Sequence, residues 1–296
     1  MTDVMHATAK TKKKTTSVRD TGSRGVGKPN VLAGFFGWFW LAVVIVPIYY
    51  VVVTSLKNQG DYFTGNPLAL PIPPTFDAYQ EVVENKIGTY FTNSVLVAVG
   101  AVVPITLFAF MAAYAIVRGK GKFLKFCNGL FLMGLAIPIQ ATIVPIYLMI
   151  TKLGLYDTLP AIILPAIAFG QPLSILIISN FVRDIPKELF ESMRLDGLTD
   201  WQIMWRLALP LTSPALVTVA IYQGLNVWNG FLFPLILTQS PDKRTMPLGL
   251  WAFQGEYTVN VPAILAAVVV STVPILVLYV VGRRQLLSGL TAGIGK

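Results

Sequence analysis

Apolar residues in this chain run on without the one-face spacing of a soluble helix or the alternation of a half-buried strand. Six such stretches, residues 35–56, 92–117, 123–150, 159–182, 211–238 and 262–282, are long enough to cross a hydrocarbon core of about 30 Å, which takes roughly 20 helical residues. Pro47, Pro104, Pro138, Pro145, Pro165, Pro172, Pro214, Pro234 and Pro274 fall inside them. Proline at that density breaks soluble helices but is tolerated in membrane spans. The pattern predicts an all-α polytopic membrane protein with six transmembrane helices.

The most heavily charged interruption between spans is residues 184–210. Of the eleven charged residues from Asp157 to Asp242, nine fall between Arg183 and Arg206. Its signals predict two short helices. Pro186 suits a first turn, where its missing N–H costs nothing, and Glu188 lies near the positive end of the helix dipole. Gly197 supplies a left-handed residue that ends the first helix. Thr199 and Gln202 have the spacing of a capping box, so a second helix starts at once and runs to Leu209 and Pro210. The product is a helix-turn-helix elbow. Its apolar residues, among them Leu189, Phe190, Met193, Leu198, Trp201, Met204 and Leu207, either fold back on the helices or dock into a partner.

Composition agrees: 54% of residues are hydrophobic and only 12% charged, against about 25% charged in soluble domains. The distribution of Lys and Arg adds sidedness. Counted in alternate segments, with Lys125 at the edge of the third stretch taken with the loop before it, eighteen lie on the side of the termini, the 118–125 loop and the elbow, and five on the other. Positive charge accumulates on the cytoplasmic side, so both termini and the elbow are expected there, in a multi-pass cytoplasmic membrane protein surrounded by lipid. This bias accounts for the net charge of +9 without a nucleic-acid partner.

Residues 1–30 carry seven basic side chains and almost no large apolar ones, the composition of a disordered tail. Within it, Gly22 to Lys28 has the spacing of a P-loop start, but Pro29 stands where a Mg²⁺-binding Ser or Thr belongs and no strand precedes it. Any ATP is therefore expected to be handled by another chain. His6 is the sole histidine and Cys127 the sole cysteine. That excludes a His/Cys zinc site, a His-based triad and an internal disulfide. The interiors of the spans contain no Asp, Glu or Lys, the groups that mark ion-coupled carriers. No catalytic residue, metal ligand or cofactor is expected in this chain.

The order Glu191, Asp196-Gly197, Leu207-Ala208-Leu209-Pro210 resembles the EAA loop of ABC-importer permeases, E-A-A-x-x-x-G followed nine residues later by I-x-L-P. Ser192 and Met193 replace its alanines and Leu207 its isoleucine. Phe91-Thr-Asn93-Ser94, Ile137-Pro138, Pro145-Ile-Tyr147, residues 153–158, Trp228-Asn229, Phe233-Pro234 and the ending from Arg284 to Gly293 are similar to the smaller permease subunit of maltose-type carbohydrate importers. The likeness extends over residues 54–296, with the permease domain drawn at 31–296.

That resemblance implies a permease driven by two ABC ATPase subunits, which bind ATP and Mg²⁺. It also implies a second homologous permease and an extracytoplasmic solute-binding protein. The elbow becomes a coupling element, with Glu191, Met193, Asp196, Gly197, Leu198, Leu209 and Pro210 as contact or shape-giving residues. For Gly197 a plain helix cap is an equal reading. The tail 283–296 would reach the ATPases through Gly289, Thr291 and Gly293. Gln140, Tyr222, Asn226 and Asn229 are candidates for the solute path, although span amides also serve as interhelical glue. Loops 58–90 and 239–261 are candidates to receive the binding protein, their aromatics equally explicable as an interfacial belt. The cargo implied is an oligosaccharide or disaccharide; glycerol phosphate or another polyol on the same machine is an alternative, and an ion-coupled carrier a remote one.

Overall fold

A computed structural model describes residues 31–253 and 259–292. Of these, residues 31–47 belong to one compact unit and those from Ile48 to a second. The basic tail with its P-loop look-alike, Tyr257 and Gly293 lie outside the described residues.

Helices in chain order are α1 Val31–Thr54, α2 Gln59–Thr64, α3 Asp77–Glu84, α4 Ile87–Arg118, α5 Lys122–Gly134, α6 Ile143–Lys152, α7 Leu159–Asp184, α8 Lys187–Leu195, α9 Asp200–Ile203, α10 Leu209–Trp228, α11 Leu232–Leu237, α12 Met246–Gly249 and α13 Val261–Ala292. Among the described residues, five helical stretches are long and apolar enough to span a membrane: α1, α4, α7, the α9–α10 run and α13. The expected third span is two pieces, α5 and α6, bent by 101° about residues 135–138. Pro138 provides the cause, because the residue before a proline avoids the helical region and the proline withholds an N–H.

α4, α7 and α10 form the centre of the second unit. Phe110, Ile175, Ile178, Val182 and Val219 are buried there. α4 and α7 touch at Gly170, where an added Cβ would lie 2.6 Å from Ile105 Cδ1. Only a missing side chain lets the two backbones approach that closely. A second cluster, with Val82, Tyr90, Trp228, Met246 and Ala266, joins α3 and α12 to α13.

Three boundaries differ from the hydropathy reading. The elbow's second helix does not stop at Pro210. α9 passes through a π turn, Met204–Ala208, into α10, so Asp200–Trp228 is one span of 29 residues. Pro210 has no N–H and its ring crowds the carbonyl four residues back; the wider π turn accommodates that proline without ending the helix. At its other end this span stops at Trp228, and α11 resumes at Leu232. The expected run to residue 238 is thus a broken helix. Finally, α13 continues to Ala292, so residues 283–292, read as a tail, extend the last span.

Candidate functional site

The elbow's first helix, expected to start at Asp184 or Ile185 with Pro186 in its first turn, begins instead at Lys187 with Pro186 as N-cap. Its turn is a Schellman motif. Leu198 N–H donates to Met193 O at 3.1 Å and Gly197 N–H to Arg194 O at 3.0 Å, with Gly197 at φ +84°, where an L-residue is strained. A Cβ there would meet nothing within 4 Å, so only conformation demands the glycine. Thr199 and Gln202 close a capping box, and Arg194 spans the elbow to Asp200 at 2.8 Å.

Of the predicted coupling residues, Glu191, Asp196, Gly197 and Pro210 are exposed, while Met193, Leu198 and Leu209 pack half-buried against the helix core. The apolar residues left outside are Leu189, Trp201 and, at 89% exposure, Leu195. Ser192 is exposed and its hydroxyl donates to Leu189 O, so replacing alanine there leaves the fold untouched.

Two residues that the sequence did not single out root the elbow. Arg118, the last residue of α4, donates through Nη2 to Val182 O (2.8 Å) and Ile185 O (2.7 Å). Its guanidinium lies 3.7 Å from the centre of the Phe190 ring. One cation thereby closes the C-terminus of α7 and stacks on α8. Tyr114 O–H donates to Asp200 O at 3.2 Å. A lone arginine at a span end reads as snorkelling, so only geometry could find this.

At the opposite end of α4 the motif residues Asn93 and Ser94 acquire a purpose. Asn93 Nδ2 donates to Asp242 O (2.8 Å) and Arg244 O (2.9 Å), and Ser94 Oγ accepts from Met246 N–H. Residues 238–246 are thus strapped down, aided by Lys86 on Asp242 at 2.9 Å. Asp157 holds the other edge. Its N–H donates to Leu237 O, and its carboxylate accepts from the N–H groups of Gln239 (2.8 Å) and Ser240 (2.9 Å) and from the Ser240 hydroxyl. The Ser240 hydroxyl first, then these N–H groups, hold its carboxyl below the ordinary range.

Between elbow and strap lies a cavity of about 370 Å³. Its wall includes the α5–α6 bend, the α10–α11 break and Thr245 of the strap. Tyr222 and Asn226 line it, as do Phe169, Phe231 and Phe233; Gln140 and Asn229 do not. Gln223 reaches it too, but its amide donates to Gly170 O (3.1 Å) and Ser174 Oγ (2.9 Å), binding α10 to α7. Asn226 and Asn229 each donate to a carbonyl four residues back. No charged side chain lines the cavity among the described residues. Nor do the described residues hold any cluster of three His, Cys, Asp or Glu fit for a metal ion.

Residues 105–286 match the family model described as binding-protein-dependent transport system inner membrane component. An arabinooligosaccharides transport system permease protein of Halalkalibacterium halodurans is 38% identical over 240 residues, covering 81% of this chain and 85% of that one. A diacetylchitobiose uptake system permease protein of Streptomyces coelicolor is 32% identical, covering 86% and 85%. Among solved structures, a chain of a bacterial ABC transporter that imports the acidic polysaccharide alginate aligns with a TM-score of 0.75 at 24% identity, over 86% of this chain and 94% of that one.

Proposed function

The chain belongs to the family of binding-protein-dependent transport system inner membrane components, and from that premise we propose how it works and what it carries. It is a permease subunit of an ABC importer, a transport component and not a catalyst. Residues 31–296 act as the permease domain, paired with a second homologous permease. Two ABC ATPase subunits bind ATP and Mg²⁺ and engage the elbow, and an extracytoplasmic binding protein delivers solute to the strap side. Both termini and the elbow face the cytoplasm of an inner-membrane protein, in keeping with the Lys and Arg bias. The C-terminal extension of α13 carries Gly289 and Thr291, and with Gly293, outside the described residues, they are the proposed contacts with the ATPases.

The observation that carries the coupling assignment is the elbow's construction. A fixed turn at Gly197 tucks Met193 and Leu198 inward and leaves Leu195 outside, while α9 continues without a joint into the cavity wall. A push on the elbow therefore reaches the cavity as a rigid-body movement, as alternating access requires. For the cargo, an uncharged cavity with aromatic faces and amides suits a neutral oligosaccharide or disaccharide. A glycerol phosphate would find no cation there.

Gly197→Asp tests the coupling. The position has room, so the cost is about 1 kcal/mol of backbone strain and the variant should reach the membrane. It is expected to lose co-purification of the ATPase subunits and solute uptake. Normal recruitment and uptake would overturn the elbow's role. Uptake of labelled neutral sugars, sugar acids and glycerol phosphate tests the cargo; preference for the phosphate would overturn the sugar reading.

A further inference from the structure

A second cavity, of about 380 Å³, lies where α4 ends. Met111, Ala115, Leu124 and Trp201 give it apolar walls, and Arg118 and Arg194 line it. Their charges are not balanced alike. Arg194 is paired with Asp200, the one acid on the wall. Arg118 meets no carboxylate at ion-pairing distance among the described residues: its Nη2 is spent on two neutral carbonyls, and its buried Nε has no partner. A cation drawn partly out of water is costly unless an anion answers it. Exposed Lys120, Lys122 and Lys125 follow within seven residues.

Location narrows the anion. α4 is a 32-residue apolar helix and Arg118 is its last residue, so the cavity sits at the level where a span leaves the hydrocarbon, whichever leaflet that is. An exposed indole, Trp201, stands beside it, as at membrane interfaces. We propose that this cavity binds the phosphate headgroup of an anionic phospholipid, with Arg118 as its counter-charge, the loop lysines as its rim and the apolar wall against the first carbons of the acyl chains. The ligand would brace the place where α4, α7 and the elbow meet. This holds whether or not the coupling assignment does.

The test uses the purified complete transporter, exposed to equal phosphatidylglycerol and phosphatidylcholine of matched chains and examined by native mass spectrometry. Preferential retention of phosphatidylglycerol is expected. Lys122→Gln combined with Lys125→Gln, both at exposed positions, should weaken it about fivefold per cation removed, since each basic residue near an anionic surface contributes about 1 kcal/mol. Arg118→Gln should remove one tightly held lipid per copy of this chain, and Arg118→Lys should keep it. Unchanged retention in the double-lysine variant, or in an Arg118→Gln complex that still assembles, would overturn the site. So would exclusion of lipid from the cavity by a subunit covering Arg118, seen as no preference in the wild type. Soluble glycerol 3-phosphate and inorganic phosphate form the last arm. Displacement of the lipid by either at millimolar concentration would make the ligand a soluble phosphate and overturn the lipid assignment.

Discussion

The two polar ends of α4 are held by opposite designs. At the strap, bonds are spread along the segment: Asp157 takes Gln239 and Ser240, Asn93 takes Asp242 and Arg244, and Ser94 takes Met246. At the elbow they are gathered at the base, where Arg118 and Tyr114 bind the chain on either side of α8. Its tip beyond carries unanswered apolar surface at Leu189 and Leu195. A segment tied along its length moves only with what it is tied to. A segment tied at its base and sticky at its tip is shaped to be gripped. The difference teaches that a cavity cover and a segment proposed to take the push of a partner need separate kinds of attachment, even though one helix serves both.

Breaking the tip should have the largest effect. Leu195→Glu puts a charge on the most exposed apolar side chain of the elbow, and an apolar anchor at the centre of an interface is worth about 2 kcal/mol. ATPase subunits should therefore bind roughly 30-fold more weakly, by titration of the purified permease, with the fold intact because the side chain packs on little else. Equal affinity would make the tip merely exposed.

Asp157→Ala removes the acceptor of three bonds at once. Charged hydrogen bonds contribute about 1.5–3 kcal/mol each, so protease cleavage within 238–246 should speed up roughly tenfold or more and uptake should fall by a similar factor. Looser cleavage with unchanged uptake would detach the strap from the cavity's work. The sign of its pH dependence is fixed. A carboxyl held low when folded contributes fully above its unfolded value of about 3.9 and loses that as pH falls through the folded one. Wild-type cleavage should be flat from about pH 8 to 5 and rise only below about pH 4.

Tyr114→Phe sharpens the contrast more gently. One neutral bond, about 1 kcal/mol, should cost a few-fold in uptake per ATP hydrolysed while ATPase recruitment stays the same. Lys86→Gln should do least. The pair with Asp242 is exposed on both sides, and such pairs contribute little, so both cleavage and uptake should stay within about twofold.

Much of this was legible in advance. Span existence follows from length and hydropathy, which a chain cannot disguise; the capping box and the Gly197 turn are local chemistry, complete within a few residues. What escaped depends on partners far apart in sequence. Asn93 and Ser94 were recognisable as a motif but not as a clamp, because their partners lie about 150 residues away. Arg118 was counted among the loop charges, and nothing local shows that it caps α7. Hydropathy also ran through the breaks near Pro138 and Gly230, since a broken apolar helix is as apolar as a straight one. Of the four solute-path candidates, Tyr222 and Asn226 line the cavity, whereas Gln140 and Asn229, equally polar in the text, do not.

The π turn at Met204–Ala208 makes the helix count of the input rod a matter of one residue. An α-helix turns about 100° per residue, and a π turn holds one residue more than its α counterpart. Closing it by a single deletion would leave composition, hydropathy and every predicted span unchanged. It would nevertheless swing α8 and Gly197 about a quarter-turn around the rod, carrying Leu195 off its bearing and Asp200 away from Tyr114. The length of this stretch, more than the identity of any side chain in it, sets the direction in which the elbow points.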